Sequence, residues 1–493
     1  MILVALVVAT ILALILITVS HTHRQMNMVC IAEAGLFLVF ALYYIMTGQI
    51  PVPALTIGSG FFFIDHLGIF EVLITTVLFL LAAIYARGYV EGLIESHELG
   101  KGSLKFFYGS WSFLLMVIIL AFFSNNLALF WIFAELTTII SAMLVAILYA
   151  RDNIDAAIKY IFIASVSMLF SFVGLIFLFE ISRSAVHGGT LNWTELIHLA
   201  PAFPAGMMIA AFALIFIGFA AKSGIFPFHT WLPEAHARAP SAVSAILSGV
   251  LLNVGIYGII RVFAIVHQTP AITAISTLLA IFGLLTVGIA AFSMLTQKNL
   301  KKLVAFSSIE NMGILLIGLA VATPVAIFWV LFHIIAHSFT KASLFFSAGI
   351  LHRQYHSTLS ADAPDDMRDV FRFQPLAAWG IILGGLAIIG MPLFPIFFSK
   401  LFILTQLAAY SLPVLVILVF LLFITAAALG YFVISTFTQR YSPEALTDVH
   451  VYHTPASMKA PIVILLCLLV MMGTVFSAGE ISFLNQIVTE LMF

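Results

Sequence analysis

Gly206-Met-Met-Ile-Ala-Ala-Phe-Ala-Leu-Ile-Phe-Ile-Gly-Phe-Ala-Ala-Lys222-Ser-Gly-Ile-Phe-Pro227-Phe228 holds sixteen uncharged residues, then a lysine, then a proline five positions on. At 1.5 Å per residue such a run nearly covers the roughly 30 Å of a bilayer's hydrocarbon. The proline interrupts the helix and frees backbone carbonyls that only protein or water can satisfy, so the stretch reads as a broken span with a charge at the break. Outward from it the same kind of run recurs along the whole chain. Of the 493 residues 63% are hydrophobic and 8% charged, against about 25% charged in a soluble domain. The mean hydropathy is +1.18. These values exclude a soluble protein and predict an all-α, polytopic membrane protein.

Fourteen spans are expected, near 1–20, 27–47, 65–86, 106–123, 126–149, 156–179, 206–228, 240–263, 271–293, 301–321, 324–351, 376–406, 411–437 and 460–485. The first is too long for a signal h-region and has neither a basic leader nor a small-residue cleavage site. With loops alternating sides, 15 of the 20 Lys and Arg fall on the odd loops, Arg87, Lys105, Arg238, Lys301, Arg353, Arg368, Arg372 and Arg440 among them. Only Arg183 and Arg261 fall on the other side, and Lys222, Lys341 and Lys400 lie within apolar segments. The asymmetry places the odd loops in the cytoplasm and both termini on the non-cytoplasmic side; the membrane expected is a bacterial or archaeal cytoplasmic one. Cys30 and Cys467 sit inside apolar runs and read as packed thiols, leaving no ligand set for zinc or an iron–sulfur cluster.

A second break, Pro392-Leu-Phe-Pro395 with Lys400 following, mirrors the first, in which the lysine precedes its proline. Paired broken helices of this kind are what an inverted-topology repeat leaves behind. Charges within spans are costly unless paired or hydrated, so each marks an ion or proton path by default. Glu135, in Trp131-Ile-Phe-Ala-Glu135, lies about ten residues into the fifth span, and Lys222 lies in the seventh. A lysine in hydrocarbon binds its proton less tightly and a nearby carboxylate restores that affinity, so the pair forms a loading switch. His333, His337 and Lys341 recur at i, i+4 and i+8 on one helical face, a proton wire in outline. Lacking a carboxylate or thiol at ligand spacing, they favour protons over a bound metal. Lys400 is the terminus. His229 and His236 flank Trp231-Leu-Pro-Glu234 as cytoplasm-facing uptake points or loop anchors. Glu33, Glu71 and Glu310 are weaker candidates, near an interface or loop lysines, and Asp65 with His66 caps the third span. Interhelical hydrogen bonding is the alternative for any one of these residues, but packing does not require a whole series of titratable groups.

The run Lys222-Ser-Gly-Ile-Phe-Pro-Phe-His-Thr-Trp-Leu-Pro-Glu-Ala-His-Ala-Arg-Ala-Pro-Ser241 resembles the signature of the antiporter-like subunits of respiratory complex I and related complexes. Similar motifs are Trp131 to Glu135, Gln297 to Gly313, His333-Ile-Ile-Ala-His-Ser-Phe-Thr-Lys341 and Gly390-Met-Pro-Leu-Phe-Pro-Ile-Phe-Phe-Ser-Lys400. The resemblance, to the L/M/N type of NADH-quinone oxidoreductase subunit, implies fourteen helices with two inverted five-helix repeats. Their limits would be three N-terminal helices in 1–105, the repeats in 106–263 and 271–437, and a last helix in 460–493. It implies proton translocation along a mid-membrane axis, with Glu135 and Lys222 paired and Lys400 on the exit side. Where relatives often carry a lysine or histidine in the eighth helix, this chain has Asn253, which cannot hold a proton. The run Ser307-Ser-Ile-Glu-Asn-Met-Gly313, with Glu310, resembles the branch found in membrane-bound hydrogenases and formate hydrogenlyases.

No Rossmann glycine pattern, P-loop, flavin site or basic nucleic-acid patch is visible, so the chain is expected to hold no cofactor or metal and to carry no redox site of its own. Fe–S clusters with nickel or flavin are expected on partners, namely a peripheral redox arm beside antiporter-like, small helical and anchor membrane subunits, with lipids around them. The function expected is that of a proton-translocating subunit of a redox-driven complex. The alternatives are a subunit of a multisubunit Na+/H+ antiporter, or a scaffold whose path is broken at Asn253. A carboxylate-rich set of oxygen ligands would favour sodium; the central helices offer lysines and histidines instead.

Overall fold

The computed structural model describes residues 2–50, 60–148, 150–185, 188–355, 367, 369–437 and 451–492. Arg368 and Arg440, counted above among the loop cations, lie outside them. The first half runs through α1 (Ile2–Val19), α2 (His23–Thr47), α3 (His66–Glu95), α4 (Leu104–Phe122), α5 (Leu127–Val145), α6 (Arg151–Ala185), short α7 (Trp193–Leu199), α8 (Ala205–Lys222), α9 (Trp231–Arg238), α10 (Ser241–Ile246) and α11 (Leu252–His267). The second runs through α12 (Ile272–Leu295), α13 (Leu300–Val321), α14 (Pro324–Tyr355), one-turn α15 (Val370–Phe373), α16 (Pro375–Ile389), α17 (Pro395–Tyr410), α18 (Leu412–Phe437), α19 (Ala456–Thr474) and α20 (Ala478–Met492). Among the described residues twelve helical segments are long and apolar enough to cross a membrane, and Leu3–Val19, Pro375–Ile389 and Pro395–Tyr410 are shorter apolar helices. The protein is an integral, multi-pass helical membrane protein.

Helix starts are set by short polar side chains that satisfy the first free amides. Thr22 opens α2 with a reciprocal capping box to Gln25, Asp65 accepts from Gly68 N at α3, Asn126 from Ala128 N and Leu129 N at α5, and Asn299 from Lys302 N at α13. Small residues then let backbones approach, as membrane helices without a hydrophobic driving force between them require. A Cβ on Gly283 would lie 2.9 Å from the carbonyl oxygen of Gly313, and one on Gly313 would lie 2.8 Å from that of Gly283, so α12 and α13 meet through two hydrogens.

Burial sorts the spans into an inner and an outer set. The apolar window of Ser241–His267 is wholly enclosed and that of Leu300–Val321 is 94% buried, whereas that of Leu412–Phe437 is 28% buried and faces outward. Between α10 and α11 the backbone relaxes into a π-turn over Leu247–Leu251, a feature found where a helix is adjusted around a site. The two expected breaks are present: α8 stops at Lys222, and Gly390, with φ +92° where a side chain would be strained, ends α16.

Several expectations are corrected. The stretch 460–485 is not one span, because α19 ends at Thr474 and α20 begins at Ala478 as a separate helix. Arg261 is not a loop cation: it lies inside α11, its guanidinium 2.6 Å from Asp65 Oδ1, both side chains almost fully enclosed, and over the rings of Trp193 and Tyr257. His66 reaches Glu490 of α20, with Nδ1 to Oε1 at 2.5 Å. Cys30 is buried as expected, but Cys467 is exposed, since α19 turns that face outward.

Candidate functional site

Two polar clusters and a junction between them occupy the interior. In the first, Lys222 sits where α8 ends, fully enclosed, and its Nζ donates to Thr138 Oγ1 at 2.8 Å. Thr138 lies one turn beyond Glu135 on α5, so both groups face the break, and the Glu135 carboxylate accepts a hydrogen bond from Ser165 of α6. Below them Tyr160 and Ser141 share a hydrogen bond of 3.0 Å. Glu135 keeps its second oxygen enclosed without a partner. Lys222 is thus held by a neutral hydroxyl rather than locked to a carboxylate.

The second cluster is built between α13, α14 and the broken pair α16–α17. Lys341 Nζ donates to the Val304 carbonyl at 2.8 Å and to Ser307 Oγ. One turn along α13, Asn311 Nδ2 donates to Glu310 Oε2 at 2.6 Å and its Oδ1 faces His333 Nε2 at 2.9 Å. The other ring nitrogen of His333 lies 2.8 Å from Ser399 Oγ. Glu310 Oε1 in turn accepts from Lys400 Nζ at 2.9 Å, and both side chains are buried. Lys400 also donates to the Ile388 carbonyl at 3.0 Å and the Ile389 carbonyl at 3.3 Å. Those carbonyls are free because α16 ends there, and the negative end of its dipole holds the ammonium.

The junction lies along α11. Asn253 Nδ2 donates to Glu71 Oε2 of α3 at 3.2 Å, to the Gly249 carbonyl at 3.3 Å and to Ser338 Oγ of α14 at 3.1 Å. The next residue on α14, His337, is fully buried with both ring nitrogens unpartnered. Ser223, beside Lys222, donates to the Leu252 carbonyl at 3.1 Å, so the α8 break abuts the same turn of α11.

The residues expected on the path are thus distributed as follows. Glu135 and Lys222 share the first cluster; His333, Lys341 and Lys400 share the second; His337 and Asn253 lie at the junction. Glu310 is not near an interface or loop lysines but is the buried partner of Lys400. Glu71 is likewise fully buried, and Glu33 accepts from Thr10 Oγ1 at 2.8 Å. His236 does not face the cytoplasm: it is enclosed and stacked on Phe345 of α14 at 4.9 Å. His229 is largely buried against Phe226. Sequence reasoning missed Thr138, Ser165, Ser307, Asn311 and Ser399, the small polar side chains that connect the charges. Their signal is a hydroxyl or amide one turn from a titratable residue, as Thr138 is from Glu135 and Ser307 from Glu310. At the end carrying Arg238 and Lys301, a cavity of about 270 Å³ is lined by Tyr89, Glu98, Asn153 and His352 among others. Among the described residues no group of three or more His, Cys, Asp or Glu is placed to hold a metal ion.

Residues 124–425 match the family described as NADH:quinone oxidoreductase/Mrp antiporter, transmembrane. This chain belongs to that family. It is 33% identical over 356 residues to the Hydrogenase-4 component F homolog of Methylacidiphilum infernorum, covering 72% of this chain and 74% of that protein. With NADH-quinone oxidoreductase subunit M of Rickettsia prowazekii it is 31% identical over 336 residues, covering 67% of this chain and 63% of that one. Against several other curated relatives, Hydrogenase-4 component B of Escherichia coli among them, the chain spans between about half and two thirds of their length. The fold is that of a chain in the archaeal membrane-bound sulfane sulfur reductase, with a TM-score of 0.86 at 20% identity over 99% of this chain and 97% of that one. The family match takes in both broken helices and both polar clusters.

Proposed function

We propose that this family member is the proton-translocating membrane subunit of a redox-driven energy-converting complex of the complex I or membrane-bound hydrogenase kind. The observation that carries the reading is the series of titratable groups running through the interior from half-buried Glu135 through the enclosed Lys222, His337, His333 and Lys341 to Lys400. A proton arriving at Lys222 is held as an ammonium while Glu135 stays near, and is released when the two separate. Beyond the junction, His333, His337 and Lys341 carry it along one face of α14, and Lys400 releases it when Glu310 lets go. Lysines and histidines, rather than a nest of hard oxygen ligands, fit protons better than sodium. In this reading the two broken pairs belong to inverted repeats in 106–263 and 271–437, and both termini lie on the non-cytoplasmic side. Fe–S clusters with nickel or flavin sit on a peripheral arm joined through further membrane subunits.

The test is Lys222→Ala and Glu135→Gln in the intact complex, reconstituted in liposomes. Each is expected to abolish coupled proton movement while leaving the subunit assembled in the membrane. Loss of the protein from the membrane in both would instead make these residues interhelical anchors.

A further inference from the structure

We infer that Glu71 of α3 is the proton-holding group between the two polar clusters, at the turn of α11 where Asn253 presents an amide. The inference rests on the translocation reading above and adds to it a residue from outside both repeats. An amide neither gains nor loses a proton near neutral pH, so Asn253 can orient neighbours but cannot store the charge. Glu71 can. Its side chain is fully enclosed, Oε2 accepts from Asn253 at 3.2 Å, and Oε1 is enclosed with no partner. Burying a carboxyl at such a place costs several kcal/mol, which marks it by default as a functional candidate.

Its position fits the task. The same Nδ2 of Asn253 donates to Glu71 and to Ser338 Oγ, so carboxylate and hydroxyl lie less than two hydrogen-bond lengths apart. Ser338 adjoins His337, whose unpartnered imidazole can take a proton on one nitrogen and give it from the other. On the opposite side the α8 break meets α11 at Leu252. The ionisable groups around the junction are Tyr257 one turn along α11, His337 and Lys341 on α14, and Lys222 on α8. The steps balance. The Lys222 ammonium gives its proton to the Glu71 carboxylate, leaving an amine and a carboxylic acid; the acid then protonates His337, leaving carboxylate and imidazolium.

The experiment compares Glu71→Gln with Lys222→Ala in the native complex reconstituted in liposomes, scoring protons moved per substrate turnover. Gln keeps the shape of the side chain and an acceptor for Asn253 but cannot ionise. Proton movement in Glu71→Gln is expected to fall at least about tenfold with turnover retained. Full proton movement in Glu71→Gln, with Lys222→Ala inactive, overturns the relay and leaves the translocation reading standing. Full movement in both variants overturns that reading as well. If Glu71→Gln does not accumulate, Asn253→Leu replaces it, since it leaves the carboxyl but cuts its bridge to Ser338. There too a fall of similar size is expected, and wild-type proton movement overturns the relay.

Discussion

At Lys400 the ammonium is held by one carboxylate, Glu310, and by two carbonyls at the end of α16. Removing one partner of such a buried pair strands the other charge and typically costs about 3–5 kcal/mol, whereas replacing both with apolar groups is often neutral. Glu310→Leu is therefore expected to lower the thermal midpoint of the subunit in detergent, and Glu310→Leu with Lys400→Met to recover most of it, with neither variant pumping. The two histidines of α14 separate by the same logic. His333 is hydrogen-bonded on both ring nitrogens, to Asn311 and at Ser399; His337 is bonded on neither. His333→Ala is expected to reduce both stability and proton movement, and His337→Ala to reduce proton movement with the thermal midpoint nearly unchanged. Melting curves beside dye-based proton uptake in liposomes decide between these outcomes. If the pair together leave pumping untouched, the wire along α14 is not the route.

Among the elements, the two interrupted helices do the same job by different means. In α8 the lysine is the last helical residue, and the chain turns at Gly224, φ +67°, where a Cβ would strike Leu232. In α16–α17 the lysine lies on the second half and reaches back to the free carbonyls of the first. Gly390 makes that reach possible, and a β-branched side chain at its φ of +92° costs on the order of 1–3 kcal/mol. Gly390→Val is expected to destabilise the subunit by that amount in melting experiments and to lower proton movement more than Gly430→Ala, a substitution with open space around it. Equal proton movement in both would mean that the geometry of the break does not matter. Both breaks were legible in the sequence because proline cannot continue a helix. The pairing of Lys400 with Glu310 was not, because α13 is apolar around most of its circumference and its composition does not say which face turns inward.

For the molecule as a whole, the driving reaction is proposed to lie outside this chain. Purified from its native membrane in mild detergent, the protein is expected to bring along further membrane subunits and peripheral chains containing iron with nickel or flavin. Small membrane subunits without metal would support the secondary antiporter instead, and sodium-gradient assays would then discriminate the ion. The amino-acid sequence by itself determined the class of fold, because a bilayer accepts helices of one length and charges the cost of every misplaced polar group. It also singled out the lysines, histidines and carboxylates within spans as candidates, since such groups have few other reasons to be there. Tertiary structure alone decided the partners. Arg261 met Asp65 rather than a loop, His236 turned into the protein, and Glu71 of α3 met Asn253 of α11. The physical reason is that a span buried on all sides carries no amphipathic stripe, so its orientation is set by packing against its neighbours rather than by its own pattern.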